Sequence, residues 1–373
     1  MGNAAINKTR LGGLNMSEKV RVGVVGTSKW WADWFHLPKL KDYPRAEVTA
    51  ICGRNRERVE ELAKKYEIPS VFTDYREMIE KGGLEALVVL TPDDLHYPLT
   101  MAALDAGLHV LCEKPLALNA SQAREMYAKA EAVGVKHMVF FTYRWLPHYQ
   151  YLKTLIEAGY IGRCFHCHMR YEGGYGRANQ YGWRFDGKRG NGILGDLGSH
   201  MIHLAQWYLG DVVKVSAHLG TFVERSGPEG QPFEPANDSA SLALQFANGA
   251  HGTMHVSAVA HVGERGQEQE ILFHGEAGTL EAQATYAGEA IRGARAEAKE
   301  FEALPVPDSF WGAADKSDSW SVFDKQPVGV RLFIDAILDD RPVSPNFYDG
   351  LKVQEVIDAA VESQRKGAWV SLP

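Results

Sequence analysis

The chain has 373 residues, more than one compact domain usually holds, so two domains are expected. With 45% hydrophobic and 23% charged residues it has the composition of a soluble globular protein. A net charge of −7 argues against a nucleic-acid partner, and four cysteines (Cys52, Cys112, Cys164, Cys167) are too few for a secreted disulfide framework. No run approaches the roughly 18 apolar residues of a membrane span, so no membrane partner is expected. The opening MGNAAINKTRLGGLN lacks the apolar core of a signal peptide, and Ile6 stands where a myristoylation signal has Ser or Thr. Residues 1–18 therefore read as a disordered extension and the protein as cytoplasmic.

Val20 to Val25 is a short apolar strand ending in Gly26-Thr27-Ser28. Glu47 to Cys52 is a second strand, and Arg56 to Tyr66 a helix with Val59, Leu62, Ala63 and Tyr66 on one face. Ala86 to Leu90 is a strand closed by Thr91-Pro92. Leu99 to Ala106 is a helix stopped by Gly107, and His109 to Cys112 a strand leading into Glu113-Lys114-Pro115. A helix over Ser121 to Val133, closed by Gly134, and a strand over Lys136 to Phe140 complete the series. Strands and helices alternating at this pitch predict a doubly wound parallel sheet, a Rossmann domain over residues 19–144. Ligands bind such sheets at the carboxyl ends of the strands.

A dinucleotide needs small residues after the first strand, because backbone amides must approach the pyrophosphate closely. Gly23, Gly26, Thr27 and Ser28 are the candidates, with Ser28 replacing the second glycine of a strict G-x-G-x-x-G; the two hydroxyls can donate to phosphate oxygens. Trp30 and Trp31 follow directly, one expected to cover the cofactor and one to wedge the helix. The second strand ends at Gly53-Arg54-Asn55 with no carboxylate to accept ribose hydroxyls, and Arg54 can pair with a 2′-phosphate, so NADP is preferred over NAD.

The second half, residues 145–373, alternates like a mainly antiparallel sheet: Cys164 to Met169, Val212 to Leu219, Ser239 to Gln245, His251 to Ala258 and Gln269 to His274. Met201 to Leu209 is its clear helix, and a helix around 349–366 is expected to pack back on the first domain. The run Cys164-Phe165-His166-Cys167-His168 has the residue types of a metal clip. No suitably spaced second ligand pair follows, so it reads as a plain strand and no metal is expected. Ala282 to Ser321 has little periodicity and reads as an excursion around the sheet.

Several separated motifs carry a resemblance. They are Thr91-Pro92-Asp93-Asp94-Leu95-His96, the run Ala103 to Pro115 with its Glu113-Lys114-Pro115 ending, Tyr143-Arg144-Trp145-Leu146-Pro147, and Gly192-Ile193-Leu194-Gly195-Asp196-Leu197-Gly198-Ser199-His200. In this order and spacing they resemble the Gfo/Idh/MocA oxidoreductases over nearly the whole chain from Lys19, with Thr142 where the family commonly has asparagine before the arginine. The resemblance implies an α/β fold of a Rossmann domain followed by a large, mainly antiparallel open sheet. It also implies a homodimer or homotetramer packed through that sheet.

It implies further that the reaction is hydride transfer between a nicotinamide and a secondary hydroxyl or carbonyl of a sugar, inositol or related polyol. Lys114, Asp196 and His200 would be catalytic, and Thr91, Pro92, His96, Glu113 and Arg144 would contact the cofactor. The chemistry suits these types: a lysine cation stabilises a developing alkoxide, and histidine titrates near neutrality. Asp196 and His200, four apart, share one face of a helix. Tyr171, Arg184 and Asp186 are candidate substrate-lining residues, while His203 reads as core. An NAD-dependent glycosidase and a non-catalytic nucleotide sensor are the alternatives; the presence of all three catalytic types speaks against the sensor.

Overall fold

The computed structural model describes residues 19–373; the expectation for residues 1–18 lies outside them. Six parallel strands, β1 (Val20–Val25), β2 (Ala46–Cys52), β3 (Ser70–Phe72), β4 (Ala86–Val89), β5 (His109–Glu113) and β6 (His137–Phe140), form a sheet in the order β3-β2-β1-β4-β5-β6. Strands β4 and β6 are buried at every position, as expected for a parallel sheet covered on both faces. The helices between them start on side-chain caps: Asn55 before Arg56–Tyr66, Asp74 before Tyr75–Lys81 and Asn119 before Ala120–Val133. β3 and the helix Tyr75–Lys81 were not anticipated from the sequence. The strand order reverses between β1 and β4, which places the ligand crevice at the carboxyl ends of those two strands.

The second sheet has nine strands: β7 (Cys164–Gly173), β8 (Val212–Gly220), β9 (Ser239–Phe246), β10 (His251–Ser257), β11 (Gln267–Gly275), β12 (Gly278–Thr285), β13 (Gly288–Arg295), β14 (Glu302–Ala303) and β15 (Val370–Ser371), in the order β14-β13-β12-β11-β7-β10-β9-β8-β15. All neighbours are antiparallel except β7 and β10. Burial alternates along β7, with Cys167, Met169 and Tyr171 in the core and His166, His168 and Arg170 on the other, open face. The stretch 282–321 is not an excursion alone: its first part supplies the end of β12, all of β13 and the edge strand β14.

Helix Phe347–Lys366 begins in a capping box between Asn346 and Asp349 and ends on Gly367. Glu355 binds Arg124 at 2.7 Å, Asp358 accepts the amide of Ala120 at 2.7 Å, and Ser363 accepts the amide of Ala217 of β8. The helix therefore ties the Rossmann helices to the second sheet. No helix among the described residues is long and apolar enough to cross a membrane.

Candidate active site

At the end of β1, Gly26 has φ +122°, and a Cβ there would lie 2.5 Å from the carbonyl oxygen of Leu90, so only glycine fits. Gly23 sits inside β1 rather than in the turn; a side chain there would meet Leu84 and Leu87, so it allows β4 and the loop before it to pack closely on β1. The Ser28 hydroxyl oxygen accepts from the amides of Trp31 and Ala32, capping the π-helical segment Lys29–His36, and its proton remains free to donate. Trp30 is 55% exposed and stacks on Trp34, whereas Trp31 meets Phe35 edge-on. The Oγ1 of Thr91, at the end of β4, is buried without a partner. A tight glycine turn, a capped helix start and an orphaned hydroxyl fit a dinucleotide at this crevice.

Arg54 is exposed after β2 and makes no ion pair or hydrogen bond among the described residues. Arg58 beside it is held by Asp33 and Glu61, each at 2.7 Å.

Three residues expected at the cofactor have partners within the protein. His96 is fully buried, with Nδ1 2.8 Å from the carbonyl of Pro115 and Nε2 2.9 Å from that of Thr91; it ties two turns together and has no nitrogen to spare. Glu113 is buried against Nε2 of His36 at 2.9 Å. The Arg144 guanidinium lies over the Trp207 ring and donates to Oγ of Ser344 at 3.0 Å. Pro92 leads into the short 3-10 turn Asp93–Leu95.

Lys114 follows β5, and Asp196 lies in the π-helical turn Leu194–Gly198 that opens helix Ser199–Leu209. π-turns of this kind often mark functional sites. Asn237 pins the approach to Asp196: its carbonyl and side-chain oxygens accept from the amides of Ile193 and Leu194, both at 2.9 Å, and its amide donates to Asn191 O at 3.0 Å. Nζ of Lys114 then reaches Oδ1 of Asp196 at 2.8 Å and the Asp196 carbonyl at 2.7 Å. Oδ2 of Asp196 accepts from Tyr175 OH at 2.6 Å and lies 3.1 Å from Nε of Arg184. Burial alone would raise the Asp196 carboxyl; the Arg184 and Lys114 charges overcome it and hold the group ionised, well below the usual carboxylate range.

His200 is 4% exposed, its ring 4.4 Å from that of Tyr143, with Nδ1 buried and unpartnered. Burial, and after it the Lys114 charge, push its pKa well below the ordinary histidine value, so the ring is neutral at pH 7. That leaves Nε2 as the nitrogen able to exchange a proton. His203 stacks flat on Phe141 in the core.

Of the expected lining residues, Arg184 joins the cluster. Tyr171 is buried behind it, its hydroxyl 2.5 Å from that of Tyr143. Asp186 instead organises its own loop: it is buried, accepting from Tyr181 OH at 2.8 Å and the Lys188 amide at 3.0 Å.

Two residues not singled out from the sequence belong to the site. Tyr175 presents its hydroxyl to Asp196, although its ring is half exposed. Asp93 is buried near Gly190, and burial pushes its carboxyl up to about 8 against the opposing charges of Arg184 and Lys114. Tyr175 carries no local signal, and Asp93, though it lies in the Thr91–His96 motif, has no role of its own there until the fold joins the segments.

Residues 20–141 match the profile of the oxidoreductase family with NAD-binding Rossmann fold, and residues 149–281 that of the GFO/IDH/MocA C-terminal domain. The chain is 30% identical over 359 residues to levoglucosan dehydrogenase of Pseudarthrobacter phenanthrenivorans, covering 87% of this chain and 89% of the relative. It is 26% identical to D-apiose dehydrogenase of Paraburkholderia graminis, covering 90% and 86%. The solved structure of a levoglucosan dehydrogenase with NADH superposes with a TM-score of 0.83 at 27% identity, covering 95% of this chain and 99% of that one.

Proposed function

Proceeding from the family to which this chain belongs, the GFO/IDH/MocA oxidoreductases with their NAD-binding Rossmann domain, we propose that it transfers hydride between a nicotinamide and a secondary hydroxyl or carbonyl of a sugar or related polyol. The observation that carries the reading is the cluster of Lys114, Asp196, Tyr175 and Arg184, with a neutral His200 beside it, where the second domain meets the carboxyl end of β5. The sugar dehydrogenases among its relatives support the substrate class.

The nicotinamide, when bound, supplies or accepts the hydride; Gly26, Thr27, Ser28 and Thr91 are the residues that would hold the dinucleotide. Lys114, its ammonium fixed by two oxygens of Asp196, keeps a third N–H to direct at the reacting oxygen. A cation held there favours alkoxide over hydroxyl. Nε2 of neutral His200 takes the hydroxyl proton in the oxidising direction and returns it in the reducing one. Asp196 orients the lysine, and Tyr175 and Arg184 spread the aspartate's charge so that it does not take that proton itself. NADP is the preferred cofactor on the strength of the unpartnered Arg54 and the missing carboxylate after β2. A second copy of the chain is expected on the open face of the nine-stranded sheet.

The test is a fluorescence titration with NADPH and NADH, followed by a screen of polyols, aldoses and their glycosides. Substrate-dependent change in the near-ultraviolet absorbance of reduced nicotinamide is the expected result. Glycoside cleavage without net redox would replace this reading by the glycosidase, and absence of cofactor binding would overturn it.

A further inference from the structure

On the open face of the nine-stranded sheet three imidazoles converge. His166 and His168 stand two apart on β7 and therefore point the same way, and His274 of β11 is the direct antiparallel partner of His166. One ring nitrogen from each lies within 4.8 Å of the others. The ring centroids are 4.8 Å apart for His166 and His274 and 5.5 Å for His166 and His168. Two of the rings are fixed from behind: Nδ1 of His168 is 2.7 Å from Oγ1 of Thr253, and Nδ1 of His274 is 2.9 Å from Oγ1 of Thr279. A hydrogen bond at one nitrogen holds the ring in place, and with Nδ1–H donating to the threonine oxygen Nε2 carries the free lone pair, the arrangement that supports metal-bound histidines. Each of these rings thus has Nε2 left for a ligand.

We propose that His166, His168 and His274 form a binding site for one divalent transition-metal ion of the zinc class per chain. Three imidazoles match the donor preference of zinc, nickel and copper(II), and not that of magnesium or calcium, which take oxygen. Three protein ligands leave a coordination position for water, a small anion or a group of the second copy expected on this face. The site is separate from the chemistry of Lys114 and Asp196, because the core-facing residues of β7, Met169 and Tyr171, lie between the open face and the catalytic side. Local spacing hides it: His166 and His168 alone are half a clip, and the third ligand comes from a distant strand.

The experiment uses untagged full-length protein, stripped with a chelator and titrated calorimetrically with Zn²⁺. Visible absorption after Co²⁺ substitution reports the coordination. One ion per chain is expected, with binding weakened tenfold or more in each of His168→Gln and His274→Gln and unchanged in His261→Gln, an exposed histidine beyond the end of β10. NADH binding is expected to be the same in all three variants, which shows that they fold and keeps this result independent of the catalytic reading. Absence of Zn²⁺ binding by the wild type, half an ion per chain, or undiminished binding by the His168→Gln/His274→Gln double variant would each overturn the assignment.

Discussion

Lys114 and Asp196 form an ion pair across the junction of two domains: Nζ lies 2.8 Å from Oδ1 and 2.7 Å from the aspartate's own carbonyl, with only 6% and 17% of the two side chains exposed. A pair so shielded is costly to assemble, because both ions lose most of their hydration. Here the cost is offset by further partners on the aspartate, Tyr175 and Arg184. The result is a lysine whose direction is fixed before any substrate arrives, the preorganisation that electrostatic stabilisation of an alkoxide requires.

Lys114→Ala is expected to lower kcat by about a hundredfold or more, the scale of losing one charged stabiliser or proton-transfer partner. Asp196 keeps Arg184 and Tyr175, so it does not become an uncompensated buried charge and the protein still folds. Cofactor affinity by fluorescence titration should stay within a few-fold of wild type. Turnover within tenfold of wild type would remove Lys114 from the chemistry.

Arg54→Asp tests the cofactor preference. An arginine with no protein partner is free to pair with a 2′-phosphate, and hydrogen bonds to charged groups contribute about 1.5–3 kcal/mol. NADPH affinity should therefore fall about ten- to a hundredfold while NADH affinity holds or rises. An unchanged ratio of the two dissociation constants would show that Arg54 does not read the phosphate.

Much of the fold is legible in the residues because burial on two faces leaves uninterrupted apolar runs. Ala86-Leu87-Val88-Val89 is one, and Gly134 marks a helix end that the structure confirms. β3 escaped because Ser70-Val71-Phe72 is three residues long and only partly buried. β13 escaped because an edge region rich in Gly, Glu and Arg has little apolar period. In the site, Lys114, Asp196 and Arg184 were visible as chemical types and the fold brings them together. His96 and Glu113 had the right types as well, but tertiary contacts with carbonyls and with His36 claim their polar atoms. Asp93 and Tyr175 could not be singled out locally, since their significance arises only when three distant segments meet.

Asp93 gives a pH prediction with a definite sign. Burial raises its carboxyl from about 3.9 in the unfolded chain to about 8 in the folded one. Between these values the native state keeps a proton that the unfolded state has released, so this group makes stability fall as pH rises through that window. The slope approaches about 1.4 kcal/mol per pH unit where the proton difference is complete. Asp93→Asn mimics the protonated form and removes the slope. Denaturant unfolding at about pH 5 and about pH 8 should show the variant gaining on the wild type at the higher pH. A parallel dependence in both proteins would place the Asp93 carboxyl in its ordinary range.

Gly192→Ala probes the loop that delivers Asp196. Gly192 has φ +64°, and a Cβ there would collide with the carbonyl and side chain of Asn237, the residue that pins the Ile193 and Leu194 amides. A left-handed conformation costs a non-glycine residue about 1–3 kcal/mol, and relieving the collision must move Asn237 or the loop itself. Either movement shifts Asp196 relative to Lys114. The substitution should thus lower both the melting temperature and kcat. Gly190→Ala is the control in the same loop, because its φ is not in the left-handed region and the nearest atoms to a Cβ are 3.4 Å away. Equal losses in the two variants would mean that the loop merely dislikes added bulk; a loss confined to Gly192→Ala assigns it to the left-handed turn and its clasp on Asn237.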